Sequence, residues 1–231
     1  MRMCSSIKRG IITLTLIFTV TGFCFGNTEM YSGSLSVGDG GLTAFGAWDC
    51  DTTTLSWVVD DTTTPGKWHY SYTLTVPWKD ISHMIIEASD GDNPFTKSNL
   101  FSPGSNPANW IGSISIQNFS PGGSTPYMPE SIYGIKFDAC GDATDVTVSF
   151  DSDRQPVWGD FYAKDGFVQC LDWCAVYNTG FTLDDPIAAA RSGSLQNHLL
   201  VPDSYIPAPG AIILVCIGTS ITSALRRRRI I

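Results

Sequence analysis

His69-Tyr70-Ser71-Tyr72-Thr73-Leu74-Thr75-Val76 places Tyr70, Tyr72, Leu74 and Val76 on one side of an extended chain and His69, Ser71, Thr73 and Thr75 on the other. Alternation of apolar and polar residues with a period of two is the pattern of a strand with one buried face. Leu55, Trp57 and Val59 repeat it, as do Ile114 with Ile116, Tyr133 with Ile135 and Phe137, and Val146 with Val148 and Phe150. Further strands are expected over residues 31–37, 41–48, 81–88, 157–163 and 167–177. About ten short strands, separated by Asp, Gly, Asn and Pro clusters, predict an all-β fold, specifically a β-sandwich. Helical periodicity is confined to a turn near residues 187–191. The longest irregular stretches, 90–108 and 120–129, are rich in Gly, Pro, Ser and Asn and are the natural places for binding loops.

The chain has 231 residues and is 43% hydrophobic, enough to bury a core and too apolar for a disordered protein. Its formal charge of −8 conceals an uneven distribution. Arg2, Lys8 and Arg9 lie at the start, and Arg226, Arg227, Arg228 and Arg229 at the end. Between residues 27 and 205 only seven basic residues face all 22 acidic ones, a net of −15. A field of that sign repels phosphate backbones, which argues against a nucleic acid partner.

The two ends have the form of export addresses. A basic start precedes an apolar run over residues 11–25 and the small residue Gly26, the three-part pattern of a secretory signal peptide. At the other end, residues 206–225 would span roughly 30 Å as a helix, the thickness of a hydrocarbon core. The arginines that follow belong on the cytoplasmic side by the positive-inside tendency, so the preceding domain faces outward.

The order Pro207-Ala208-Pro209, apolar segment, Arg226 to Arg229 closely resembles the PEP-CTERM sorting signal of bacterial exported proteins, with Ala208 where the named motif has Glu. The resemblance implies processing by an exosortase, a membrane protease-transpeptidase, and an association with the envelope and exopolysaccharide. It also implies delivery to the cell surface or extracellular matrix after anchoring by the terminal helix. The segment 152–166, dense in charge, aromatic and turn residues, is similar to segments of uncharacterised β-sandwich proteins that bear this tail. The expected organisation is therefore a signal peptide over 1–26, a β-sandwich domain over 27–186, a stalk over 187–205 and the sorting signal over 206–231.

Outside the two ends, the cysteines are Cys50, Cys140, Cys170 and Cys174. An even number in an exported domain points to two disulfides, of which Cys170–Cys174 and Cys50–Cys140 are the expected pairs among the three pairings four cysteines allow. A zinc site is the competing arrangement, although no CxxC spacing supports it. Acidic clusters recur in expected loops, and Asp90, Asp92 and Asn93 are the candidate calcium ligands, hard oxygens that a divalent cation would hold together. No cofactor is required by any motif.

Trp110 and Trp173 are the aromatics best placed for exposure and for stacking on a sugar. Arg154 is expected either to pair with a nearby Asp or to contact a ligand. None of the histidines 69, 83 and 198 falls in a nucleophile, phosphate-loop or zinc-protease motif, and His83 with Glu87 reads as two polar residues on one strand face. The expectation is thus a non-enzymatic structural or interaction protein. The alternatives are a carbohydrate-binding or adhesive module with calcium-stabilised loops, and a surface hydrolase built on two carboxylates.

Overall fold

The computed structural model describes residues 28–165 and 173–205. Residues 1–26, expected to be a signal peptide, Cys170, and residues 206–231, expected to be the sorting signal, lie outside the described residues. Among the described residues no helix is long and apolar enough to cross a membrane.

The described chain forms thirteen strands: β1 (Met30–Ser36), β2 (Leu42–Phe45), β3 (Thr54–Asp60), β4 (Trp68–Thr75), β5 (Ile81–Glu87), β6 (Leu100–Asn106), β7 (Ile111–Phe119), β8 (Ile132–Ala139), β9 (Asp145–Ser152), β10 (Arg154–Gly159), β11 (Phe161–Asp165), β12 (Ala175–Asn178) and β13 (Leu199–Tyr205). They assemble into a five-stranded sheet ordered β1-β3-β4-β9-β6, a six-stranded sheet ordered β2-β12-β11-β5-β8-β7 and a two-stranded ribbon of β10 with β13. Every pairing is antiparallel. The fold is all-β and sandwich-like.

The alternation over residues 69–76 is realised in β4, where Trp68, Tyr70, Tyr72 and Leu74 are buried and the residues between them half-buried. Tyr70 pairs with Val59 on β3 and with Phe150 on β9. The Phe150 ring in turn lies 5.8 Å from that of Phe137 on β8, so aromatic contact bridges the two large sheets. One buried cluster contains Leu55, Trp57, Tyr72 and Phe150 from the first sheet together with Ile86, Phe137, Phe161 and Val176 from the second. Gly33 on the edge strand β1 faces Trp57 across the ladder, and a Cβ there would sit 2.2 Å from the indole. The absence of a side chain at Gly33 lets the Trp57 ring lie flat beneath it.

Both long irregular stretches are largely exposed but are anchored by single buried residues. Phe95 is fully buried, and the stretch continues into β6, an edge strand whose register shifts between Phe101 and Gly104. Pro103 is tolerated there because an edge strand need not donate on its outer side. The segment 120–131 lies on the outer face of the six-stranded sheet, where Met128 joins Ile85, Phe119, Tyr162 and Phe181 in a second buried cluster. Tyr162 Oη donates to the Pro126 carbonyl at 2.6 Å, and the Phe45 and Tyr127 rings stack at 4.3 Å.

Two boundaries differ from the expectation. The strand expected over 157–163 is divided at Asp160 into β10 and β11, which belong to the ribbon and to the six-stranded sheet respectively. Residues 187–205 are not a free stalk: Leu199, Leu200 and Val201 on β13 are buried in the main core, and no helical turn forms at 187–191. The apolar triplet is drawn in because β10 presents it with an unpaired ladder edge.

Candidate functional site

Asp160 is the single residue between β10 and β11 and is 5% exposed. Its backbone N–H donates to Glu87 Oε2 at 2.7 Å. Asn178, fully buried at the end of β12, donates from Nδ2 to Asp160 Oδ1 at 2.6 Å and to the Asn197 carbonyl at 3.0 Å, and its Oδ1 accepts from the Phe161 N–H. These bonds fix the Asp160 carboxylate toward His198, which is fully buried just before β13. His198 Nδ1 lies 3.0 Å from Asp160 Oδ1 and 3.3 Å from Asp185 Oδ1. The three side chains thus converge from parts of the chain far apart in sequence, with Asp185 at the solvent-facing side.

The local field is strongly negative. Burial, reinforced by Asp185 and Asp160, lifts the Glu87 carboxyl to about 8. Burial also raises Asp203, with Asp90 and Asp185 adding to it and Arg154 opposing. Burial disfavours a charged His198 ring, but the two carboxylates outweigh it and raise its pKa to about 9. Asp185 and Asp203 line a surface depression of about 390 Å³ with Trp158, Pro186 and Ile187. Such a set of two carboxylates and an imidazole is suited to holding a cation.

The opposite character is found around Trp78, in the turn between β4 and β5. It is 52% exposed, while Trp48 Nε1 donates to its carbonyl and anchors the turn. Lys79 Nζ lies 5.8 Å from the Trp78 ring and pairs with Asp165 at 2.8 Å. The adjacent Lys164 Nζ lies 4.1 Å over the ring of Trp173, which is half-buried. Two partly exposed indoles are therefore connected through one ion-paired cluster.

The residues expected from sequence fare unevenly. Trp173 is in this aromatic group, but Trp110 is 2% exposed: the chain turns at 107–110 and tucks the indole into the main core. Arg154 is also buried, with Nη2 donating to the Pro94 carbonyl. Asp90, Asp92 and Asn93 are exposed on a bend after β5, and among the described residues no third acidic or histidine side chain joins the two aspartates. Cys50, Cys140 and Cys174 stand as free thiols, Cys140 donating to the Asn109 carbonyl and Cys50 lying against Thr52. The Cys50–Cys140 bridge is accordingly not made, and Cys170 lies outside the described residues. Asp160, Asp185, His198 and Trp78 were not singled out from sequence.

His83 is 3% exposed on β5, flanked by Lys164 on β11 and by Lys136 and Asp138 on β8. Burial, with Lys136 and Lys164 adding to it, drives its pKa from 6.5 down to about 2. The folded chain then keeps the ring neutral where the unfolded chain protonates it, so stability falls as pH drops below 6.5. Relative to His83→Phe, the native protein should lose about 1.4 kcal/mol per pH unit below that point. Melting temperatures compared between pH 7 and pH 4.5 test this, and a constant difference between the two proteins would refute it.

Comparison with family models, curated proteins and solved structures found no match.

Proposed function

We propose that this chain is an exported bacterial protein of the cell surface or extracellular matrix, held by a PEP-CTERM-type tail, whose β domain has a structural or interaction role rather than an enzymatic one. The observation that carries the reading is the tail itself, in which Pro207-Ala208-Pro209, an apolar segment and four arginines follow in that order. A signal-peptide pattern at the other end agrees with it, as does the acidic charge of the chain between them. The partner for processing is then an exosortase-type protease-transpeptidase. Mass spectrometry of the mature protein from its native membrane tests the reading. Loss of the segment containing Arg226, Arg227, Arg228 and Arg229 is the expected result, and a mature protein that still carries them counts against it.

A second reading, carbohydrate binding, is favoured by Trp78 and Trp173, two partly exposed indoles each beside a lysine that bonds to Asp165. Flat indoles with charged and hydrogen-bonding neighbours offer both the apolar and the polar faces that a sugar needs. Exopolysaccharide is the natural ligand in the setting implied by the tail. Trp78→Ala should weaken retention on immobilised exopolysaccharide by about tenfold, the effect of removing a central aromatic anchor. Equal retention of the two proteins would sink this reading and leave the sorting assignment untouched. Adding calcium to the same measurement tests the exposed Asp90, Asp92 and Asn93 as a loop-stabilising site.

A further inference from the structure

We propose that Asp160, Asp185 and His198 form a binding site for one divalent transition ion of the zinc class, coordinated through Asp160 Oδ1, Asp185 Oδ1 and His198 Nδ1. One ligand atom from each of the three residues lies within 4.8 Å of the other two. The two separations from the imidazole nitrogen, 3.0 and 3.3 Å, match the edges of a coordination polyhedron. For metal–ligand bonds of about 2.0–2.2 Å, an octahedral edge is roughly 3.0 Å and a tetrahedral edge roughly 3.4 Å.

Proximity of acids alone would not carry this. The independent observation is the state of His198: its side chain is fully buried and lies beside two carboxylates that balance its charge, yet neither ring nitrogen makes a hydrogen bond of proper geometry. Although both carboxylate oxygens are close to Nδ1, neither lies where a ring N–H would donate to it. A buried imidazole whose nitrogens make no properly directed hydrogen bond is expensive. A metal ion placed ahead of the Nδ1 lone pair, with the carboxylate oxygens arranged around it, satisfies that nitrogen with the oxygens to the side.

The ligand set also selects the ion. Calcium and magnesium take oxygen ligands almost exclusively, whereas an imidazole with two carboxylates suits zinc and its neighbours. Outer contacts of the kind that orient metal ligands are present: Asn178 holds Asp160 Oδ1, and Glu87 holds the Asp160 backbone. Gly180 makes room for the ring, since a Cβ there would sit 2.9 Å from His198 Nε2. Asp185, 45% exposed, leaves an entry path and an outward coordination position for water. Bound there, the ion ties the segment 184–190 to the β10–β11 corner and to the start of β13.

The test uses the full-length chain in detergent, stripped with a chelator and then given Zn²⁺, Co²⁺ or Ca²⁺ separately. Retention of about one zinc per chain after dialysis is expected, together with a rise in melting temperature that calcium does not produce. Cobalt should show d–d absorption without a thiolate charge-transfer band, which separates this site from the free cysteines. Asp185→Asn, at an exposed position, should weaken zinc binding by more than the roughly 10–100-fold typical of losing an outer-shell partner. Asp90→Asn should leave it unchanged. No retained metal, a thiolate band, a response to calcium alone, or unaltered affinity in Asp185→Asn would each overturn the assignment.

Discussion

A chain covering residues 27–186 will show no cooperative unfolding transition, whereas one covering residues 27–205 will. The difference is β13 and the residues leading into it. Leu199, Leu200 and Val201 are at most 1% exposed and belong to the core that joins the two large sheets. Burying each contributes about 1.5–3 kcal/mol, so their loss alone removes a large part of the roughly 5–15 kcal/mol by which a domain is stable. The damage extends further. Tyr72 Oη donates to the Leu200 carbonyl inside the core, and deletion leaves that hydroxyl buried without its acceptor. β10 loses its only ladder partner among the described residues, exposing Trp158. Circular dichroism melts of the two chains decide the matter. A sharp transition in the shorter chain would show that residues 187–205 are the dispensable stalk that their composition indicates.

That discrepancy shows how far the sequence reading reaches. β3, β4, β8 and β9 are legible because each has a full run of alternation with one face in the core, so period two survives in the residue order. β13 begins with three consecutive apolar residues and then meets Pro202, and nothing local distinguishes it from a linker. Its identity as a strand comes from pairing with β10, some forty residues earlier in the chain. β6 is hidden for a related reason. It contains Ser, Pro, Gly and Asn, and among the described residues its pairing is made on one side only, by β9. The corner at Asp160 is different again, since residues 157–163 alternate well enough to pass for one strand. The break is fixed by Glu87 and Asn178, which bind Asp160 from two other strands.

The candidate site was less legible than the fold. Asp90, Asp92 and Asn93 attract attention because they are close in sequence, but closeness along an exposed bend brings no further acidic or histidine ligand among the described residues. Asp160, Asp185 and His198 have no characteristic spacing; Asp160 and His198 meet because the β10–β13 ladder pairs Gly159 with Leu199, the residues next to them. Trp78 did leave a signal: it lies in Pro77-Trp78-Lys79-Asp80, directly after a well-marked strand, where a turn holds side chains outward. Trp110 has equally loop-like neighbours and is buried, so turn composition indicates the backbone path and not the direction of the indole.

The second large effect is expected at Asp165, where β5, β11 and β12 meet. Asp165 is 1% exposed and bonds in two directions: Oδ2 accepts from Lys79 Nζ at 2.8 Å, and Oδ1 accepts from the Cys174 N–H at 3.0 Å. Its backbone N–H donates to the Cys174 carbonyl, and its own carbonyl accepts from Ser82 Oγ and Lys164 Nζ. Lys79 is itself only 7% exposed, so its charge is compensated inside the protein rather than by water. Removing the Asp165 carboxylate takes the counter-charge from a mostly buried ammonium, at a loss of about 3–5 kcal/mol, although the pair as a whole contributes far less than that. Asp165→Ala should therefore fall in this range, with the orphaned Cys174 N–H adding to it. Asp165→Asn keeps an acceptor for Cys174 and isolates the charge effect. Combining it with Lys79→Met should recover much of the stability, because neither partner is then charged. Urea titrations of the two single variants and the double variant measure the coupling. If Lys79→Met adds its full loss on top of Asp165→Asn, the two side chains act independently and the ion pair does not hold this corner of the fold.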